Sequence, residues 1–408
     1  MALERRAAVA LPRPGPETVA ALRLAWRATW TSRVLIWAAG LTAVAIWGVS
    51  ARSHDFDPAG LTSPFGSFGD ALAAPAARWD SVWYLGIAGD GYGAPGRPAF
   101  FPLYPLLMRA GGWVLGSRLV AGALISMVCL VIALAVLHEL TRLELGAGAA
   151  RWTVIAVALS PVSFFLSAVY SESLFLALSG GALLSARRGR WWWAGVLAGL
   201  AAATRSAGVV LLVPLVLFAW PRWRDMRPLA LVPVGLGCFM AAMAIAGHGA
   251  LSPFHVQDVW FRHWAGPFGG LRDAGVAAWD GARQLLSGQR EHVYFTAAGG
   301  DPFYVARMNL MLFGFFVAGA VAVVGAARTL PLAYPAYALA ALALPLSYPV
   351  GPQPLMSIQR FELVLVPLWM WWGAWLSRHP RARRVALAAS AGLLVAFSAM
   401  FATWHWVA

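Results

Sequence analysis

The chain has 408 residues, 60% of them hydrophobic and 12% charged, with a formal net charge of +14. A soluble globular domain carries about 25% charged residues, so a soluble core is excluded, and repeated apolar runs of about 20 residues mark an all-α polytopic membrane protein. The two cysteines, Cys129 and Cys238, fall inside apolar runs and read as small hydrophobes rather than as a disulfide or a metal pair.

Taken in order, the chain opens on a basic segment interrupted by prolines. No short apolar region with a small-residue cleavage site precedes the first span, so no cleavable signal peptide is expected. Apolar runs and their arginine punctuation predict about eleven transmembrane helices. They lie near 31–50, 119–138, 152–170, 172–186, 191–204, 206–220, 229–248, 308–327, 331–348, 361–377 and 385–404. The pieces between 172 and 220 are short for full spans. Segment 100–116, with Pro102 and Pro105, reads as re-entrant or as a loop helix. The whole of 1–408 is read as one transmembrane domain, with a first outer loop at 51–118 and a second large one at 249–307.

Placing the N-terminus in the cytoplasm and letting the chain alternate puts 1–33, 139–151, 187–190, 221–228, 328–330 and 378–384 on one side. These segments hold 19 arginines against five acids, while the other face holds 12 of each. The charge excess therefore lies wholly on one side, which is the positive-inside pattern. It accounts for the basic balance without a nucleic-acid partner. It also places the C-terminus outside and makes an extracytoplasmic site the expected arrangement; a bacterial plasma membrane is the expected location.

The outer face collects the informative polar residues. Its first loop contains Arg78-Trp79-Asp80-Ser81-Val82-Trp83-Tyr84, running on to Gly91-Tyr92 and then to Phe100-Phe101-Pro102-Leu103-Tyr104-Pro105. Aromatic rings can pack on the apolar faces of a sugar, and one acid among them can accept a proton from a hydroxyl. Taken locally, the same stretch also fits an interfacial aromatic belt with one solvated acid. Glu172, Arg205, Arg360 and Glu362 lie at the edge of the apolar phase, where charge is costly and a functional role is the default hypothesis. An ion pair or a snorkelling end residue is the alternative. Arginine suits phosphate because its planar fork makes paired hydrogen bonds.

His54-Asp55-Phe56-Asp57 holds a D-x-D spacing, which can bind a divalent metal but more often marks a solvated acidic loop. His255, His263 and His292 lie in the second large outer loop without a zinc-binding pattern, and no phosphate-cradling glycine loop occurs. Neither a cofactor nor a metal is expected, although a divalent metal stays open.

The run Trp79-Asp80-x-x-Trp83-Tyr84-x-x-Ile87-Ala88-x-x-Gly91-Tyr92, followed by Phe100-Phe101-Pro102-x-Tyr104-Pro105, resembles the first lumenal loop of the PIG-V-type mannosyltransferases. Further blocks agree in order and spacing. They are Tyr170-Ser171-Glu172-Ser173-Leu174-Phe175, Thr204-Arg205-Ser206-x-Gly208, Phe254-x-x-Gln257-x-x-Trp260-x-Arg262 and Arg360-Phe361-x-Leu363-x-x-x-Pro367. The resemblance covers about residues 30–380. It implies a GT-C-type fold with extracytoplasmic loop helices and an inverting hexosyltransferase that uses a polyprenyl-phosphate sugar, mannose by family. The acceptor would be an envelope glycolipid, glycan or protein. It puts the catalytic base at Asp80 and the donor phosphate at Arg205, Arg360 or both. Substrate contacts fall on Trp79, Trp83, Tyr84, Tyr92, Tyr104, Tyr170, Glu172, Gln257 and Arg262, and no role is carried onto Asp90. The competing reading is a lipid or solute transporter or flippase, which would place charges near the midplane and show matched halves. No internal repeat is evident.

Overall fold

The computed structural model describes residues 15–220, 222–289 and 301–407. Among these residues the architecture is all helical, with one isolated antiparallel bridge between Arg262 and Val350. Helix α1 (Pro16–Trp47) starts with proline in its first turn, where a missing N–H costs nothing, and stops at Gly48 in a positive-φ conformation. The first loop carries α2 (Arg52–Phe56), α3 (Gly66–Ala73) and α4 (Ser81–Asp90). Then come α5 (Leu103–Leu115), α6 (Arg118–Leu145), α7 (Ala147–Ala158), α8 (Glu172–Arg187), α9 (Trp191–Ala202), α10 (Leu212–Ala219) and α11 (Leu231–Ile245). The second large loop holds α12 (Ser252–His255) and α13 (Gly270–Ser287). The chain ends with α14 (Pro302–Thr329), α15 (Ala333–Ser347), α16 (Ile358–Leu363), α17 (Val366–Arg378) and α18 (Pro380–Ala402).

Every expected span holds a helix, and segment 100–116 is the loop helix α5. Among the described residues, five helices are long and apolar enough to cross a membrane: Glu17–Trp47, Arg118–Leu145, Arg224–Ile245, Pro302–Thr329 and Pro380–Ala402. The others are shorter. Helix α7 has 12 residues, about 18 Å at 1.5 Å per residue, against a hydrocarbon core of about 30 Å. The expected span 152–170 is therefore a broken one, helical only to Ala158 and then irregular apart from a 3₁₀ turn at Ser163–Leu166. Irregular backbone at such depth is tolerated only inside protein. Phe164 to Glu172 are accordingly all buried, and Val169 N–H donates to Ala76 O of the first loop at 2.7 Å.

The first span also starts earlier than hydropathy suggests. Arg23, Arg27 and Arg33 dilute the apolar signal, yet α1 is already helical from Pro16. Arg33, counted above with the cytoplasmic segment, is buried in the bundle and donates from Nη2 to Ser163 Oγ at 2.5 Å.

Small residues let the helices approach. A Cβ at Gly235 of α11 would lie 2.0 Å from Gly199 O of α9, and one at Gly373 of α17 would lie 1.9 Å from Thr153 Oγ1 of α7. Two charged clusters result, one at each end of the bundle. At the end nearest the N-terminus, Arg142 reaches Glu17 (2.9 Å) and Glu139 (3.2 Å), Arg188 reaches Glu139 (2.9 Å), and Arg187 reaches Glu144 (2.5 Å). The opposite end gathers Asp80, Glu172, Arg205 and Arg360.

Candidate active site

Asp80 stands at the start of α4, immediately after Trp79, whose φ of 53° is a left-handed conformation unusual for a bulky residue. The turn is held from below. Tyr170 Oη donates to Arg78 O and accepts from Asp80 N–H, both at 3.1 Å. Arg78 Nε donates to Ala402 O at 3.0 Å. The Trp79 ring packs among Phe56, Trp404 and Trp406 at centroid distances of 4.7 to 5.3 Å. The C-terminal turn therefore braces the acid-bearing loop.

The centre of the site is a chain of four charges from four separated segments. Arg360 Nη1 lies 2.8 Å from Asp80 Oδ2, and Arg360 Nη2 and Nε lie 2.9 and 3.2 Å from Glu172 Oε1. Arg205 Nη1 lies 2.8 Å from the same Glu172 oxygen. The Arg360 guanidinium also sits over the rings of Phe165 and Tyr170, 4.7 and 4.9 Å from their centroids. Burial alone would lower the Arg360 pKa, but Asp80 and Glu172 outweigh it and hold the guanidinium well above its ordinary value. Three of its nitrogens are engaged, so it is a rigid cationic brace.

Exposure separates the four. The side chains of Glu172 and Arg360 are 0% and 7% accessible, while Arg205 and Asp80 are 15% and 18%. Asp80 and Arg205 are thus the groups at this centre that an incoming molecule can touch. Glu172, expected to bind substrate, is enclosed; what it does is fix two arginines.

The aromatic residues divide in the same way. Tyr104 is fully buried, with Oη on Gly122 O (3.0 Å) and Ser126 Oγ (2.8 Å), and it backs Tyr84 edge-on at 5.1 Å. Tyr84 is buried and shares a 2.8 Å hydrogen bond with Ser171 Oγ. Burial raises the Tyr84 pKa, keeping the phenol neutral. Trp79, Tyr84, Tyr104 and Tyr170 therefore position the loop rather than present faces to a ligand. Trp83 differs. One turn along α4 from Asp80, it is half-buried, stacks on Phe100 at 5.8 Å and meets Trp260 edge-on at 5.1 Å. Trp260 Nε1 donates to Gly96 O at 3.3 Å, which brings the second outer loop onto the first. Gly96 has φ 86°, and a Cβ there would sit 3.3 Å from the Trp83 ring, so both the turn and the space call for glycine.

Other expected residues lie elsewhere. Tyr92 donates to Phe100 O at 2.8 Å and packs on Phe239 beside a separate cavity of about 410 Å³ that also touches Arg109 and His248. Gln257 makes a local bond to Pro253 O at 3.3 Å. Arg262 donates to Tyr348 O (3.0 Å) and Met356 O (3.3 Å), pinning the loop before α16. Its guanidinium lies 5.8 Å from the Phe361 ring, and Arg205 lies 5.9 Å from that ring. Asp90 is exposed and faces Arg97 at 3.6 Å. In the D-x-D stretch, Asp57 accepts from Leu61 N, Thr62 N and Thr62 Oγ1 at 2.7 to 2.8 Å, which makes it a turn brace. No group of three or more potential metal ligands occurs among the described residues, and His292 lies outside them.

Ser171, Phe361 and Trp260 join the site although the residue-by-residue reading assigned them nothing. Each had a signal, since each sits inside one of the quoted blocks.

The family model described as "Mannosyltransferase (PIG-V)" matches residues 56–219. A GPI alpha-1,6-mannosyltransferase 2 of Cricetulus griseus is 38% identical over 152 residues, covering 35% of this chain and 31% of that protein. The Homo sapiens protein of the same name is 33% identical over 154 residues with the same coverage. The chain thus spans about a third of the length of the curated relatives it matches. Crystal structures of ArnT from Cupriavidus metallidurans are similar at 12% identity with undecaprenyl phosphate bound (TM-score 0.38, 78% of this chain and 71% of that one). The apo form is similar at 13% (TM-score 0.36, 87% and 73%). Over residues 56–219, which hold Asp80, Glu172 and Arg205, the chain carries the signature of the PIG-V mannosyltransferase family.

Proposed function

We propose that this chain is an inverting glycosyltransferase of the GT-C type, an α-mannosyltransferase. It would take mannose from a polyprenyl phosphate and deliver it to a glycolipid, glycan or protein hydroxyl at the extracytoplasmic end of the bundle. The observation that carries the reading is Asp80, a partly open carboxylate ending a buried Arg205–Glu172–Arg360–Asp80 chain. The matching family and relatives support mannose, and the charge asymmetry between the ends supports the sidedness.

In the proposed step an acceptor hydroxyl attacks the anomeric carbon. The new carbon–oxygen bond forms as the bond to the phosphate oxygen breaks, and the electron pair leaves with the polyprenyl phosphate. Asp80 accepts the hydroxyl proton. One displacement inverts configuration, so a β-linked donor yields an α-mannoside. Arg205 would meet the departing phosphate, because Nη1 makes its contacts with Glu172 and Ser171 and its side chain is the more open of the two candidate arginines. Arg262, across the Phe361 ring, supplies the second positive charge. Arg360 holds Asp80 in place. Trp83, with Trp260 at its edge, offers the ring face on which a sugar packs.

The test is transfer from polyprenyl-phosphate mannose to an envelope extract by the purified protein. Asp80→Asn keeps the shape and removes the base, and loss of a general base costs roughly 10²–10⁴-fold. Near wild-type transfer by this variant would remove Asp80 from the role; movement of the donor across a bilayer without transfer would instead indicate a transporter.

A further inference from the structure

Two residues beyond Arg360, α16 turns a second charged side chain the other way. Glu362 is buried, and its carboxyl rests on Gly319 of α14, where a Cβ would fall 2.0 Å from Oε1. Beside it opens a cavity of about 230 Å³, larger than the ~150 Å³ hole that admits a benzene ring. The cavity lies among α7, α14, α17 and α18. Its polar side chains are Ser160, Gln359, Glu362 and Ser390, and its apolar wall includes Trp372 and Leu387.

Ser390 Oγ donates to Leu159 O at 2.7 Å, but two of the polar side chains are not fully satisfied within the protein. Glu362 Oε1 and Gln359 Oε1 are buried without a hydrogen-bond partner, although Gln359 Nε2 donates to Val407 O at 2.8 Å. No cation pairs with Glu362 among the described residues. A carboxyl taken out of water with no cation beside it is held as the neutral acid, with one O–H donor and acceptor capacity to spare. Gln359 adds a second acceptor. A hydroxyl, which donates and accepts at once, complements this pair. A phosphate head brings charge and acceptors to a wall with no arginine, so the cavity does not suit the donor's phosphate.

We infer that this cavity binds a long-chain lipid alcohol, with its hydroxyl between Gln359 and Glu362 and its chain along Trp372 and Leu387. The site is separate from the Asp80 centre and stands whether or not the proposed transfer is correct.

The experiment uses the detergent-solubilised full chain and a long-chain alcohol brominated on its tail, whose bromine quenches nearby tryptophan. Quenching should saturate, and its saturable part should be largely lost when both tryptophans of the wall, Trp369 and Trp372, are replaced by Phe. The matching methyl ether, which keeps the chain but has no donor, should bind about tenfold more weakly. Glu362→Leu should weaken the alcohol by about as much. Ala318→Trp, which fills the cavity from α14, should abolish saturable quenching. If Glu362→Leu does not fold, the ether comparison and Ala318→Trp still decide the matter. Equal affinity for alcohol and ether overturns the proposal. So does unchanged quenching in the variant that carries both Trp369→Phe and Trp372→Phe. Displacement by polyprenyl phosphate as effective as by unlabelled alcohol also overturns it, reassigning the cavity to the donor's chain.

Discussion

The two ends of the bundle carry similar numbers of charges and use them differently. At the end nearest the N-terminus, arginines Arg142, Arg187 and Arg188 stand 32–42% exposed on helix ends, each reaching a carboxylate, Glu139 or Glu144, that is itself 8% or 6% exposed. At the other end Arg360 is 7% exposed, packed on two aromatic rings and held by carboxylates from two other segments. A pair whose arginine stands in solvent is screened there, and where one carboxylate has two such arginines, as Glu139 has, the loss of either is cushioned by the other. Buried pairs cost desolvation, and their worth lies in fixing a geometry that falls apart when one member is removed. The first cluster reads as a membrane-surface fastening and the second as a preorganised site.

The comparison can be broken by substitution at each end. The largest effect should be on turnover in Asp80→Asn, a loss of roughly 10²–10⁴-fold, with a smaller loss of stability than in Glu172→Gln because Arg360 keeps Glu172 as a partner. Next is Glu172→Gln, which leaves Arg205 and Arg360 without their shared carboxylate. Removing one partner from a buried cluster costs about 3–5 kcal/mol, so the variant should unfold well below wild type in detergent. A stability within 1 kcal/mol would contradict the brace assigned to Glu172. Arg360→Lys keeps the charge but loses the planar fork that spans Asp80 and Glu172. It should cut turnover more than it cuts stability, and a wild-type rate would show that the fork is dispensable. Trp83→Ala should raise KM about two- to tenfold and leave kcat nearly unchanged, on the ~0.5–1.5 kcal/mol scale of an aromatic stack; a pure kcat effect would speak against sugar packing there. The smallest change is expected for Arg188→Ala, ~0–1 kcal/mol and shrinking as salt is added. Insensitivity to salt at that position, or a loss matching Glu172→Gln, would erase the distinction between the ends.

Much of this was legible in the residues. Glu172, Arg205, Arg360 and Glu362 stand out because charge at the edge of an apolar phase is costly, and Asp80 because it is one acid among aromatic rings; the structure brings Asp80, Glu172, Arg205 and Arg360 together and leaves Glu362 apart. Their ranking was not legible. Glu172 and Asp80 look alike in a sequence, and only the packing of Phe165, Tyr170 and Ser171 shows that one is sealed and the other partly open. The tyrosines misled in the same direction, since an aromatic beside an acid reads as a platform until its far side is seen to be filled. Tyr104 is such a case, with its hydroxyl already engaged by Gly122 and Ser126. The D-x-D stretch was ambiguous for a related reason, because Asp57 spends both oxygens on its own turn.

The sequence by itself determined the helical membrane class, the places of the apolar helices and the asymmetry of charge, because these follow from hydropathy and arginine placement along one dimension. It did not determine that 152–170 breaks at Ala158, since hydropathy averages over a window and cannot register where the hydrogen-bond ladder stops. Nor could it show that α16 sends Arg360 into the site and Glu362 to the opposite side. Those features depend on neighbours far along the chain: Glu172, 188 residues from Arg360; Tyr170, 90 residues from Asp80; and Gly319, packed under Glu362. Burial and partner choice are properties of the packed assembly, and there the tertiary structure decided.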